Sequence, residues 1–415
     1  MPEPSPTLQP PERPPTWIRT PDALSALIAQ TGGARILAVD SESDSLHHFP
    51  EKVCLVQVGH ENGAVYLVDP LELPDLRPLG PILADPDIVK VLHGASYDLS
   101  SMKRDFGFEF AGIFDTMLAG QFLGLPELGL NAMLQRFLAV TPGRSRQKDD
   151  WAKRPLQPEQ VAYAAEDVRH LIPLRERLQA ELHGSGREAW LQEECQALEA
   201  LPLAERVFDP EEYVRVKGAK DLDRRGLAVL RELFVAREAW AHAAGRPPFK
   251  VLVNESLIRV ATDRPRTLKA LQQIPGCSPK VVQRLGEGLL AAIGRAQAVP
   301  ESELPVYPRP KKPRLLPAVQ RRIEALVAWR TEAAGRLGLD PGLVLPRRLI
   351  ERLAEEVPAG AEELGRVEGL RRWRIEALGA EILRVLAAAP AERSSRPRPA
   401  PPAAPDTGRD GKESP

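Results

Sequence analysis

Beyond about residue 205 the chain copies itself. A single ungapped offset of 93 residues superposes Arg237 on Arg330, Leu257 on Ile350, Val260 on Leu353, Ala261 on Ala354, Leu271 on Leu364 and Ile274 on Val367. It also carries Gly276 onto Gly369 and Leu285-Gly286 onto Leu378-Gly379. Apolar matches alone arise by chance in helical sequence, but an offset that preserves two glycines as well defines a duplicated unit. The apolar spacing is helical, so this half is expected to hold two copies of one small all-helical domain, over residues 212–298 and 316–389. Residues 299–315 between them are proline-rich; Val299 to Pro317 holds six prolines among charges, the composition of a stiff extended linker. Residues 390–415, dominated by Pro, Ala, Ser and charge, are expected to be disordered.

The front half has a different rhythm. After a proline-rich leader (residues 1–16) come four short apolar runs: Arg35–Val39, Val53–Val58, Ala64–Val68 and Ile88–Leu92. Their β-branched content and bounding Gly, Asn and Asp predict strands, with Asn62-Gly63 as a hairpin turn. Apolar residues at Leu118, Phe122, Leu130, Met133, Leu134 and Phe137 then follow a helical period, and Pro158 to about Leu182 predicts one long helix. Strands first, then helices, argue for a mixed sheet flanked by helices.

Three stretches carry candidate chemistry. Asp40-Ser41-Glu42 ends the first predicted strand, and side chains two apart on a strand share a face. His93-Gly94-Ala95-Ser96-Tyr97-Asp98 follows the fourth strand, with Asp98 opening a helix. Tyr163-Ala164-Ala165-Glu166-Asp167 lies in the long helix, where the i, i+4 spacing sets Tyr163 and Asp167 on one face. Each stretch alone also fits a plain structural role: an acidic loop, a helix cap, an amphipathic helix. If Asp40, Glu42, Asp98 and Asp167 converge, however, they repel one another unless they are protonated or hold cations. Oxygen-only ligands select hard ions, so two divalent cations, Mg²⁺ or Mn²⁺, are expected. Such a pair is suited to in-line phosphodiester cleavage.

With these residues in view, the chain resembles a known family. VDSE at 39–42, HGASYD at 93–98, FDT at 114–116, DWAKRPL at 150–156 and YAAEDV at 163–168 match the ribonuclease D group of the DEDD exonuclease superfamily, in order and separation. Tyr163 places it in the DEDDy subclass. The resemblance covers about residues 17–205 and implies a ribonuclease-H-like α/β domain that removes nucleoside 5′-monophosphates from a 3′ end. The repeats resemble HRDC domains, giving an α/β catalytic domain followed by two small all-α domains. The resemblance further implies that Asp40, Glu42 and Asp167 hold one metal, that Asp40 bridges to a second supported by Asp98, and that Tyr163 orients the attacking water. Many relatives have Asp-Thr-Glu followed by an aromatic, where this chain has Asp40-Ser41-Glu42-Ser43, which puts contacts to the terminal base in question. Asp44, His47 and His48 are expected in a solvated loop.

RNA with a single-stranded 3′ end, in particular a tRNA precursor, is the substrate the resemblance implies. Candidate contacts are Lys148, Trp151, Lys153 and Arg154 in the front domain, with Trp151 also a candidate core residue. Arg371, Arg372 and Arg374 beside Trp373 continue a basic series that includes Lys311-Lys312-Pro313-Arg314, Arg321-Arg322 and Arg347-Arg348. Charge distribution agrees: residues 301–400 carry 19 Lys+Arg against 14 Asp+Glu, whereas residues 1–300 carry 35 against 40. A DNA exonuclease and an inactive nucleic-acid scaffold are the alternatives; the intact acid set argues against the scaffold. Cys54, Cys195 and Cys277 lie too far apart for a zinc motif or a disulfide framework. No apolar run approaches the roughly 18 residues of a membrane span. A cytoplasmic protein with no membrane association and no obligate protein partner is the expectation.

Overall fold

Ile36–Ser43 (β2) is the strand around which the front domain is built. It runs antiparallel to Val53–His60 (β3), pairing Leu37 with His60 and Glu42 with Leu55, and parallel to Val89–Leu92 (β5). Thr16–Ile18 (β1), Val65–Val68 (β4) and Ile113–Asp115 (β6) complete a six-stranded mixed sheet of order β1-β4-β3-β2-β5-β6. The structure, a computed structural model, describes residues 13–202, 207–308 and 315–389. Within it β3 and β4 are buried almost throughout, as expected for strands covered on both faces. The β3–β4 hairpin turns at Asn62-Gly63, with Gly63 at φ 84°.

The four expected strands are present. Thr16–Ile18 and Ile113–Asp115 add two more, each three residues long and too short to leave a period in sequence. β1 begins at Thr16, inside the expected leader, whose first twelve residues lie outside the described ones, as does the expected tail.

Helices Pro21–Thr31 (α1), Gly80–Ala84 (α2), Ser96–Phe106 (α3), Thr116–Phe122 (α4), Leu130–Leu138 (α5), Pro158–Arg169 (α6), Leu171–Ser185 (α7) and Glu188–Glu199 (α8) cover the sheet. The expected single helix from Pro158 is therefore two. Pro173 lacks the N–H that would bond the carbonyl of Arg169, and its ring clashes there, so the helix breaks at His170. α6 lies across β2, β3 and β4. Gly59 on β3 permits this approach, because a Cβ there would stand 3.1 Å from both Ala38 Cβ and the Val168 carbonyl.

The repeat is visible residue by residue. Arg224–Ala244 (α9), Pro248–Val251 (α10), Asn254–Asp263 (α11), Leu268–Leu271 (α12) and Pro279–Ala298 (α13) form the first copy. Pro317–Leu337 (α14), Pro341–Val344 (α15), Arg347–Glu356 (α16), Ala361–Leu364 (α17) and Arg372–Ala388 (α18) form the second, every helix starting 93 residues after its counterpart. Left-handed residues recur at the same offset: Gly245 and Gly338, Arg264 and Val357, Gly276 and Gly369. Arg237 donates to the Leu252 carbonyl, and Arg330 to that of Leu345, at 3.1 Å in each case.

The chain divides into two compact units, one holding the sheet domain with the first repeat and the other the second repeat. The expected linker is not extended at its start: Glu301–Glu303 makes a 3₁₀ turn, Leu304 is buried in the core of the first repeat, and Arg224 donates to its carbonyl. Among the described residues no helix is long and apolar enough to cross a membrane.

Candidate active site

Because β2 and β5 run parallel, the residues that leave them emerge at the same edge of the sheet. Asp40 and Glu42 sit on the last turn of the β2 pleat, just before the register shift between Glu42 and Ser43. β5 ends at Leu92, and Gly94 at φ 72° turns the chain into α3, whose first turn contains Asp98. Asp115, at the end of β6, fixes that turn: its carboxylate accepts the N–H groups of Gly94 at 3.0 Å and Ala95 at 2.9 Å. It also caps α4 through Met117 and Leu118. The FDT segment therefore aims Asp98 without itself joining the site.

α6 supplies the remaining groups. Its start is fixed by Pro158 and a capping box between Gln157 and Gln160. Ala164, Ala165 and Val168 face the core, and this orientation presents Tyr163 and Asp167 at the β2 edge. One carboxylate oxygen from each of Asp40, Glu42 and Asp167 can be chosen so that all three lie within 4.8 Å of one another. Asp98 stands beside this trio and is tied to β2 by the Ser41 hydroxyl, 2.5 Å from Asp98 Oδ1. Tyr163 lies beside Asp167 and Ser145, both of which act on its phenol.

The electrostatics follow from the crowding. Burial, then the charges of Asp98, Asp167 and Glu42, hold Asp40 well above the usual carboxylate range. Glu42 is raised by burial and by Asp167, Asp98 and Asp149. Burial pushes Asp98 to about 6 and Asp167 to about 7. Tyr163 is also raised, by burial and the neighbouring Asp167 and Glu42 charges. Four carboxylates in one small volume, all reluctant to ionise together, form a donor set suited to hard divalent cations and to nothing softer.

Two expected substrate contacts in the front domain are corrected. Trp151 is fully buried, packed among Ala164, Ala165 and Val168, and its ring lies 6.2 Å from that of Tyr163. It backs the tyrosine from the core and cannot reach a strand of RNA. Arg154 grips buried Asp69 with two hydrogen bonds of 2.7 and 2.8 Å and also donates to the Cys54 and Trp151 carbonyls. It locks the loop to the sheet. Lys148 and Lys153 do remain exposed, Lys153 lying 3.8 Å from Asp150.

In the second repeat, Arg374 is buried over the Trp373 ring and donates to the Leu343 and Val344 carbonyls, so it serves the fold. Arg372 is exposed and paired with Glu376, and Arg371 is partly exposed. Arg322 donates to the Ala354 carbonyl, and Arg347 pairs with Glu351. Lys311-Lys312-Pro313-Arg314 falls outside the described residues.

The expected solvated loop is partly structural as well. Asp44 is fully buried and accepts the Lys52 N–H. His48 Nε2 lies 3.1 Å from Asp150 Oδ1. Two further groups at the site had no role assigned from sequence. Ser41 steers Asp98, and Tyr97, exposed beside Asp98, shares a 2.9 Å hydrogen bond with Ser43. Both lie within the quoted motifs, but only the fold brings Tyr97 to Ser43.

Comparison with known proteins places this geometry in a family. Residues 15–183 match a 3′–5′ exonuclease family model, and residues 226–293 and 319–386 each match the HRDC domain. A ribonuclease D of Pseudomonas paraeruginosa is 34% identical over 377 residues, covering 90% of this chain and 98% of that protein. The ribonuclease D of Escherichia coli is 30% identical over 342 residues, covering 81% and 88%. The crystal structure of E. coli RNase D, described as an exoribonuclease involved in structured RNA processing, superposes with a TM-score of 0.67 at 28% identity, covering 91% of this chain and 99% of that one.

Proposed function

The chain belongs to the ribonuclease D family and is a 3′→5′ exoribonuclease that uses divalent metal; from that premise we propose how its residues divide the work and which RNA they act on. Asp40, Glu42 and Asp167 would hold one cation, and Asp40 with Asp98, which is steered by Ser41, would hold a second. The observation that carries this assignment is the meeting of Asp40, Glu42 and Asp167 oxygens within 4.8 Å, although they come from a strand and from a helix more than a hundred residues away. Mg²⁺ and Mn²⁺ both fit the all-oxygen set. Cations there would offset the converging negative charge, lower the pKa of the attacking water and balance the charge gathering on the departing 3′ oxygen.

Tyr163 orients that water. Burial and the Asp167 and Glu42 charges raise its phenol, which stays protonated at neutral pH, so it positions rather than removes a proton. Each turnover cleaves the last phosphodiester by in-line attack and releases a nucleoside 5′-monophosphate, leaving a 3′-hydroxyl for the next. We assign the catalytic domain to residues 17–205 and the HRDC domains to 212–298 and 316–389.

The substrate we propose is a structured RNA with a short single-stranded 3′ end, of which a 3′-extended tRNA precursor is the model case. The likeness to an enzyme described as processing structured RNA supports it. Incubation of the protein with such a precursor and Mg²⁺ is expected to release mononucleotides one at a time and to stop near the folded body. Equal trimming of a DNA oligomer of the same sequence would refute the RNA assignment.

A further inference from the structure

Resting on the exoribonuclease reading, the first helical repeat is placed to hold the substrate strand as it leaves the carboxylates. The loop after Glu42 runs through His47 to Phe49, and it meets the loop that carries Lys148, Asp149 and Asp150. His48 Nε2 lies 3.1 Å from Asp150 Oδ1, which ties this second loop to the one that leaves Glu42.

The first repeat closes against the loop that leaves Glu42. Phe49 N–H donates to the Gly245 carbonyl at 3.2 Å, and the Phe49 ring lies 4.6 Å from that of His242. Lys250 Nζ is 3.1 Å from His47 Nδ1, while His47 Nε2 is 2.9 Å from the Lys148 carbonyl. An ammonium can only donate, so Nδ1 accepts and Nε2–H donates. One imidazole thereby joins the two loops to α10.

Next to this junction stands an aromatic that the fold does not need. Phe249 is 49% exposed, Val253 is 42% exposed, and Arg246 is exposed beside them. The second repeat forms the same helices with Gly342, Pro346 and Leu339 at the matching positions, and with Leu343 in place of Lys250. The aromatic and the two cations are therefore additions peculiar to the copy that borders the carboxylates. An exposed ring beside cations, on a helix tied through Lys250 to the loop that leaves Glu42, has the chemistry of a single-stranded nucleic-acid platform: base on ring, phosphate on cation.

We infer that Phe249 stacks a base of the RNA upstream of the scissile nucleotide, with Arg246, Lys250 and Lys148 facing its phosphates. Affinity should then grow with RNA length until the strand reaches α10. Binding of oligo(A) trimer and dodecamer, measured by fluorescence anisotropy in an Asp167→Asn background that cannot consume them, tests this. Phe249→Ala and Phe249→Leu are each expected to cut the gain in affinity from trimer to dodecamer by about tenfold, and Phe249→Trp to restore it. A Leu variant that keeps the full gain would reduce the ring to an apolar filler and overturn the inference. So would an Ala variant whose gain equals that of the parent. The two readings fail separately: a wild-type protein that hydrolyses no RNA while Phe249→Ala loses dodecamer affinity sinks the enzyme and keeps the platform. Normal hydrolysis with an undiminished length gain does the reverse.

Discussion

The Ser41 hydroxyl stands 2.5 Å from Asp98 Oδ1, a hydrogen bond spanning 57 residues of sequence that joins the strand bearing two of the acids to the helix bearing a third. Together with the backbone N–H groups of Ser41 and Asp98, it opposes the effect of burial on that carboxyl. Losing a hydrogen bond to a charged group costs about 1.5 kcal/mol, so Ser41→Ala should raise the Mg²⁺ concentration for half-maximal activity about tenfold. Ser41→Thr should stay near wild type. A Mg²⁺ titration that cannot tell the alanine variant from wild type would show that Asp98 does not depend on this bond.

Tyr163→Phe keeps the ring against Trp151 and removes only the hydroxyl. Loss of a positioning group predicts a fall in kcat on the order of 10²-fold with little change in KM for RNA. Because the phenol is raised and stays protonated, the alkaline limb of the pH–rate profile should keep its position. A rise in wild-type rate through an alkaline pKa that is lost in the variant would make the tyrosine a base.

The metal-free site should bind protons more tightly when folded. Asp98 at about 6 and Asp167 at about 7 lie above the ordinary carboxylate value near 3.9 that they regain on unfolding. Their contribution to stability is therefore full below about pH 4 and is lost as pH rises through about 6 to 7. Cations bind the ionised form, so stabilisation by Mg²⁺ should grow over that same window. Thermal melts in chelator and in Mg²⁺, from about pH 5 to about pH 8, should diverge as pH rises. A constant gap would contradict a site whose acids titrate there.

Arg154 is predicted to matter for stability. Arg154→Ala leaves buried Asp69 only the more distant Arg19, at 3.8 Å, as a cationic partner and should cost about 3 kcal/mol, with the salt dependence of RNA binding unchanged. Wild-type stability with a shallower salt slope would return Arg154 to the RNA surface.

What sequence could and could not reveal divides along physical lines. The acids and Tyr163 were legible because their motifs resemble a known family in order and separation, the strand and helix periods adding only which side chains share a face, and the duplication because one offset carries its glycines. Trp151 and Arg154 misled because an aromatic and a cation in a loop look alike whether they face solvent or a partner. Asp69 lies 85 residues from Arg154, and no local pattern announces that pair. The same holds for Arg374, whose carbonyl acceptors come from another helix of its repeat. His47 and Lys250 are 203 residues apart, so the junction they make is visible only once the first repeat is folded against the sheet domain.

The most direct test of the central claim, that Asp40, Glu42, Asp98 and Asp167 act together around divalent cations, is mononucleotide release from a 3′-labelled RNA by wild type, Asp40→Asn and Asp167→Asn in Mg²⁺. The account predicts losses of at least about 10³-fold for both variants, since each removes a ligand charge from the catalytic cations. It also predicts melting temperatures in chelator at or above wild type, because each substitution removes one of the mutually repelling carboxylates. Mononucleotide release at the wild-type rate by either folded variant would contradict it.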